Sequence, residues 1–387
     1  MKIVSVVGAR PNFVKIAPLL REMRCQSWIM PMLVHTGQHY DQAMSAQFFR
    51  DLEIEPPEVN LGVGSASHAA QTAEVMRRLE PVLETCRPDL MLVVGDVNST
   101  LAAALTAAKL GVPVAHVEAG LRSFDRRMPE EINRLLTDAI ADLLFVTEES
   151  GQENLLREGV APQKIHCVGN VMIDALELFR PRWAQSAIFD VLKLSPERPY
   201  AVVTLHRPSN VDDPGMLSGF MAAFGALAAH LPVIFPVHPR VSSRLRGGEG
   251  GQGTRPTGDR TITFLDPMSY LDFIALLSRA RLVLTDSGGV QEETTALGVP
   301  CLTLRDTTER PATVTYGTNR VIGSDPDRVA PEALRTLADP PAPRGRPPLW
   351  DGQAARRIVS VLRQRGVDVT GAEHVRRDLV WVGAGTR

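Results

Sequence analysis

Short, unbroken apolar runs recur along this chain, separated by longer stretches with helical spacing. LMLVV at 90–94 and VPVAHV at 112–117 are two of them. Neither alternates between apolar and polar, so each suits a strand covered on both faces, as in a parallel sheet. The pattern predicts strands at 3–7, 32–35, 90–94, 112–117 and 143–146, then a second series at 201–205, 233–237, 261–264, 282–285 and 301–304. Strands alternating with helices place the chain in the α/β class. Two series of five predict two doubly wound, Rossmann-like domains facing a cleft. The expected boundaries are 1–178 for the first domain and 179–350 for the second. A helix near 354–366 is expected to pack back on the first domain, and 367–387 is a tail without an assigned role. The Gly-rich stretch 246–259 reads as a surface loop and the Pro-rich stretch 339–348 as a connector.

Composition narrows the classes. The chain has 387 residues, of which 44% are hydrophobic and 22% charged, enough apolar material for large cores. A formal net charge of -2 without a block of one sign argues against nucleic-acid binding. The longest apolar run falls short of a membrane span. Cys25, Cys86, Cys167 and Cys301 are widely spaced and form no CxxC pair, which suggests neither zinc nor a disulfide framework. Reduced thiols fit a cytoplasmic protein. Gly248, Gly250 and Gly253 match GxGxxG literally, but no strand precedes them, so no dinucleotide site is expected.

Candidate chemistry gathers where strands end, the edge at which open α/β sheets bind ligands. Asp96 follows one run, Glu118 another, and Glu130 opens a predicted helix. Carboxylates grouped in a cleft suit proton transfer, because burial and repulsion separate their pKa values. The competing reading is that Asp96 and Glu130 merely begin helices. His206 and His238 each end a predicted strand. Arg10 and Lys15 follow Gly8 at the first strand–helix turn, a natural seat for phosphate. Asp286-Ser287-Gly288-Gly289 precedes a helix whose first turn is expected to hold Glu292 and Glu293. Its glycines allow backbone amides to approach a diphosphate, and Arg310 in TTERP adds a cation.

Taken together, the segments GARPNFVKIAPL, TGQHYD, GDVNSTLA, HVEAGLRS, MPEEINR, TLHRPSN, PVHPR, TDSGGVQEE and RDTTERP resemble the non-hydrolysing UDP-N-acetylglucosamine 2-epimerases over roughly 2–362. The resemblance implies a GT-B-like fold with UDP in the interdomain cleft. It also implies a cytoplasmic homodimer that needs no metal or nicotinamide and binds neither nucleic acid nor membrane. The implied reaction is reversible C2 epimerisation through elimination of UDP, supplying sugar for surface polysaccharide. By resemblance Asp96, Glu118, Glu130 and His206 form the acid–base set. Arg10, Lys15, Ser287, Gly288, Gly289, Glu293 and Arg310 would hold UDP, with Phe273 and His238 lining its pocket. HRPSN and GDVNS depart from the HRREN and GDTTT of better-known members, so a UDP-2,3-diacetamido uronic acid is an alternative substrate. A hydrolysing 2-epimerase would share these motifs and differ in product. A GT-B glycosyltransferase would show an acceptor groove, and a non-catalytic sensor would not need four acid–base positions.

Overall fold

The apolar runs form two parallel sheets. The computed structural model describes residues 1–37, 48–195, 197–237, 241–242, 262–342 and 345–371. The first sheet contains β1 (Lys2–Val7), β2 (Met30–His35), β3 (Val59–Asn60), β4 (Leu90–Val94), β5 (Val114–Ala119), β6 (Leu143–Val146) and β7 (Ile165–Cys167), in the order β3-β2-β1-β4-β5-β6-β7. The second contains β8 (Ala201–Thr204), β9 (Val233–Pro236), β10 (Ile262–Leu265), β11 (Leu282–Thr285), β12 (Cys301–Thr303) and β13 (Asn319–Val321), in the order β10-β9-β8-β11-β12-β13. Ile3 stands opposite Leu90, and Val202 opposite Val283. Both sheets reverse their winding between these central pairs. A crevice opens beyond the strand ends at such a switch point. The expected architecture, two doubly wound domains in a GT-B-like arrangement, is the one observed.

Boundaries shift in places. The predicted strand at 112–117 lies at Val114–Ala119: Pro113 lacks an amide hydrogen, and the strand continues through Glu118 at a register shift between Val117 and Ala119. Each sheet also carries more strands than predicted, because β3, β7 and β13 are only two or three residues long.

Alternate residues of β1 serve different cores. Val4 and Val6 pack with the helices His68–Cys86 and Asn98–Lys109, whereas Ile3 and Val7 face the helix Arg10–Arg24. The latter core runs on through the helix Val171–Leu178 to Val202 and Val283 of the second sheet, so one apolar cluster joins the two domains. The last described helix, Ala354–Gly371, contributes Ile358, Val359 and Leu362 to this cluster and packs against Arg10–Arg24. Its start is pinned by Asp174, which accepts from the amides of Ala354 (3.0 Å) and Ala355 (2.7 Å). Just before it the fully buried Trp350 donates Nε1–H to the carbonyl of Thr147 (3.0 Å). No described helix is long and apolar enough to cross a membrane.

Candidate active site

A cleft of about 1200 Å³ lies between the C-terminal edges of the two sheets. Its first-domain wall includes Arg10, Lys15, Asp96 and Glu130, and its second-domain wall includes His206, Phe273, Ser287, Gly288, Gly289, Glu293 and Arg310. Eleven of the thirteen site residues expected from sequence thus border one space. Glu118 lies behind the wall, and His238 falls outside the described residues.

Each first-wall turn has a local cause. β1 stops at Gly8, where a Cβ would fall 2.1 Å from Ser99 Oγ. Asn12 Oδ1 then accepts from the amides of Gly8 (3.3 Å) and Ala9 (3.1 Å), while its Nδ2 donates to the carbonyl of Val94 (2.9 Å). This ties the Arg10 turn to the turn bearing Asp96. The helix Pro129–Ile140 begins at Pro129, whose fixed φ suits a first helical position. The successive carboxylates after it diverge, being one residue apart on a helix. Glu130 borders the cleft. Glu131 is buried and accepts from the amides of Ser123 (2.9 Å) and Phe124 (2.9 Å), so its work is structural.

Glu131 also pairs with Arg134 (2.5 Å), and Arg134 reaches Asp96 Oδ2 (2.5 Å). Burial pushes Asp96 up, but Arg134, Lys15 and Arg310 outweigh it and hold the carboxyl below its ordinary value. Asp96 therefore rests as a carboxylate paired with Arg134. Glu118 adopts φ +74° at the end of β5 and is 4% exposed. Its two oxygens engage Lys15 and Arg310, one from each domain.

The second wall is built around Arg310. The guanidinium is buried and meets three carboxylates: Glu118 (2.6 Å), Glu292 (2.9 Å) and Glu309 (2.5 Å). Burial raises Glu309, but Arg310 and Arg305 hold it well below the usual range. Glu292 goes the other way, to about 7, through burial and the nearby Glu118. Glu293 rises to about 8 through burial and the charge of Glu292. Both glutamates lie in the second turn of the helix, not the first, because that helix begins at Gly288. Their position deep in the wall is what desolvates them.

His206 ends the β8 turn and faces Asp286, with Nδ1 2.8 Å from Oδ1. Asp286 also accepts from the amides of His206 (3.0 Å) and Arg207 (2.8 Å) and from Asn210 Nδ2 (3.1 Å). Burial opposes its charge, yet His206 and those amides draw it down to about 2. Asp286 is fully buried and orients the imidazole. The TDSGG motif contains it, but sequence reasoning dwelt on the glycines and gave Asp286 no role; its place at the end of β11 was the available signal. Arg134 was likewise missed, because nothing in MPEEINR reveals that its side chain turns inward toward Asp96.

Strand-end carboxylates on one wall, a glycine-opened helix on the other and cations between them match what the sequence segments implied. A model of the family described as UDP-N-acetylglucosamine 2-epimerase matches residues 21–363. The chain belongs to this family. A relative from Methanocaldococcus jannaschii, a UDP-N-acetylglucosamine 2-epimerase, is 39% identical over 94% of this chain and 99% of its own. The solved structure of M. jannaschii UDP-GlcNAc 2-epimerase in complex with UDP-GlcNAc and UDP superposes with a TM-score of 0.86 at 39% identity, over 94% of this chain and 100% of that one. Membership extends to a relative of another substrate class: a UDP-2,3-diacetamido-2,3-dideoxy-D-glucuronate 2-epimerase from Pseudomonas aeruginosa is 40% identical over 94% of this chain and 99% of its own. A sucrose-phosphate synthase from Thermosynechococcus elongatus, 15% identical with a TM-score of 0.61, shares the fold alone.

Proposed function

We propose that the chain interconverts UDP-N-acetylglucosamine and UDP-N-acetylmannosamine without net hydrolysis. The observation that carries this reading is the cleft itself, which sets Asp96 and Glu130 of the first domain opposite His206 and the Ser287–Gly289 turn of the second. A base removes the C2 proton and the C2–H electrons become a C1–C2 double bond. The C1–O bond breaks and UDP leaves with its electron pair. Reprotonation at C2 from the other face, with attack of the diphosphate oxygen on C1, completes the inversion. Asp96, Glu118, Glu130 and His206 supply the proton donors and acceptors. Arg10, Lys15, Arg310 and the helix start at Gly288 offset the charge growing on the departing diphosphate. Glu293 takes the ribose hydroxyls, and Phe273 lines the pocket. The P. aeruginosa relative supports a second substrate, a UDP-2,3-diacetamido uronic acid, for the same chemistry.

In this reading the protein is a homodimer. The exposed Ile132 and Leu136, four residues apart on one helix face, support an apolar contact there. A cytoplasmic setting is supported by free cysteines, including the buried Cys301. Incubation with UDP-N-acetylglucosamine in deuterated water, followed by NMR, tests the reaction. Deuterium at C2 of both UDP-sugars is expected. Epimerised product without deuterium contradicts proton transfer, and free sugar as the main product favours the hydrolysing alternative.

A further inference from the structure

His116 lies in β5 with no solvent exposure, and neither it nor Asp138 borders the cleft. His116 Nε2 is 2.9 Å from the carbonyl oxygen of Gly95, the residue before Asp96. Its Nδ1 is 2.6 Å from Asp138 Oδ1. Each ring nitrogen thus faces an oxygen within hydrogen-bonding distance. The second oxygen of Asp138 accepts from the amide of Gly120 (3.0 Å) and pairs with Arg122 (2.7 Å). Arg122 is itself gripped by Glu158 through two hydrogen bonds, of 2.8 and 2.7 Å. One unbroken line therefore links the turn before Asp96 to the turn after Glu118.

We infer that His116 and Asp138 are a positioning pair, which fixes the separation of Asp96 and Glu118 by tying the Gly95 carbonyl to the Gly120 amide. The inference rests on the epimerase reading. Three features support it. Glu118 holds a positive φ, a conformation that persists only where the surroundings enforce it. β5 changes register at that residue, so the ladder alone does not fix its direction. The buried pair sits between the two turns and is fully occupied in bonding to them. A misplacement of about 1 Å at reacting groups can cost about 10²-fold in rate.

The test uses the full-length chain and the variants His116→Ala, His116→Gln and Asp138→Asn. Measured quantities are kcat, KM, deuterium entry at C2, UDP affinity by calorimetry and the melting temperature. His116→Ala should lower kcat about 10²-fold, with KM and UDP affinity changed by no more than about threefold. His116→Gln keeps a donor at the reach of Nε2, and should recover about tenfold of that loss. Asp138→Asn should fall between the two. If His116→Ala does not fold, the other two variants carry the comparison. Unchanged kcat per folded protein, or losses confined to melting temperature and KM, would overturn the assignment. A wild-type enzyme without C2 exchange would overturn the epimerase reading and this assignment with it. Failure of the variants alone, in an exchanging wild type, concerns only the pair.

Discussion

Arg310 Nη2 donates to Glu118 Oε1 at 2.6 Å behind the cleft wall, so a second-domain cation is held by a first-domain carboxylate. Lys15 approaches the other oxygen of that carboxylate. Glu118→Gln keeps the shape, and leaves Arg310 paired with Glu292 and Glu309. It should retain the fold and lose about 10²–10⁴-fold in kcat if Glu118 exchanges protons with substrate. NMR progress curves decide this, and near-normal kcat would remove Glu118 from the acid–base set. Arg310→Ala should behave differently, because it strands buried carboxylates. A stability loss of about 3–5 kcal/mol in urea titration is expected, with weakened UDP binding.

UDP binding should take up a proton near neutral pH. Burial first, and then Glu118, raises Glu292 to about 7 against the pull of Arg310 and Lys15. A diphosphate shares those cations and adds negative charge, so the bound state favours protonated Glu292 more strongly. Well below pH 7 the proton is already present and binding is pH-independent on this account. Above it the proton must be acquired, and affinity should fall as pH rises. Calorimetry in two buffers of different ionisation enthalpy reads the uptake directly. Glu292→Gln should reduce it, leaving the share of Glu293, which burial and Glu292 raise to about 8, and equal heats in both buffers for the wild type would contradict the linkage.

His206 depends on Asp286 for its orientation. Asp286→Asn offers an amide where Nδ1 now meets a carboxylate, which disturbs the ring orientation that this contact holds. A fall in kcat of about 10²-fold or more is expected, with KM much less affected. The double variant with His206→Asn should be no slower than His206→Asn alone. Additive losses would show that the two residues act independently.

Gly288→Ala probes the proposed diphosphate turn without removing a charged group. A Cβ there would lie 2.4 Å from Arg310 Nη1 and 2.9 Å from Glu309 Oε1. The guanidinium must move, so UDP affinity should drop at least tenfold, on the order of one lost charge-assisted hydrogen bond. Gly289→Ala meets only Met172 Cε at 3.4 Å and should bind UDP more nearly as the wild type does. Equal affinities for wild type and Gly288→Ala would show that Arg310 does not depend on this turn.

The central strands were legible because both of their faces are buried, which leaves an unbroken apolar signature. β13 was not: its Asn319-Arg320-Val321 is polar at two of three positions and, among the described residues, pairs only with β12. Asp96 and His206 were legible as strand-end groups. Residue type alone did not separate Glu130 from Glu131; the family resemblance singled out Glu130, and helix phase sends it to the cleft and Glu131 under Ser123. His116 and Asp138 are 22 residues apart and meet only because β5 and the helix Pro129–Ile140 are stacked.

The return of the Ala354–Gly371 helix to the first domain makes the order of synthesis differ from the order of assembly. Ile358, Val359 and Leu362 complete a core whose other members begin at Ile3. Each such side chain contributes about 1.5–3 kcal/mol when fully buried. A ribosome must therefore deliver the whole second domain before the first can close its seam. A nascent chain halted at Leu349 also lacks Trp350 and the amides that Asp174 accepts from. The strands and helices of the first sheet would emerge early and wait, apolar groove open, for that helix to arrive.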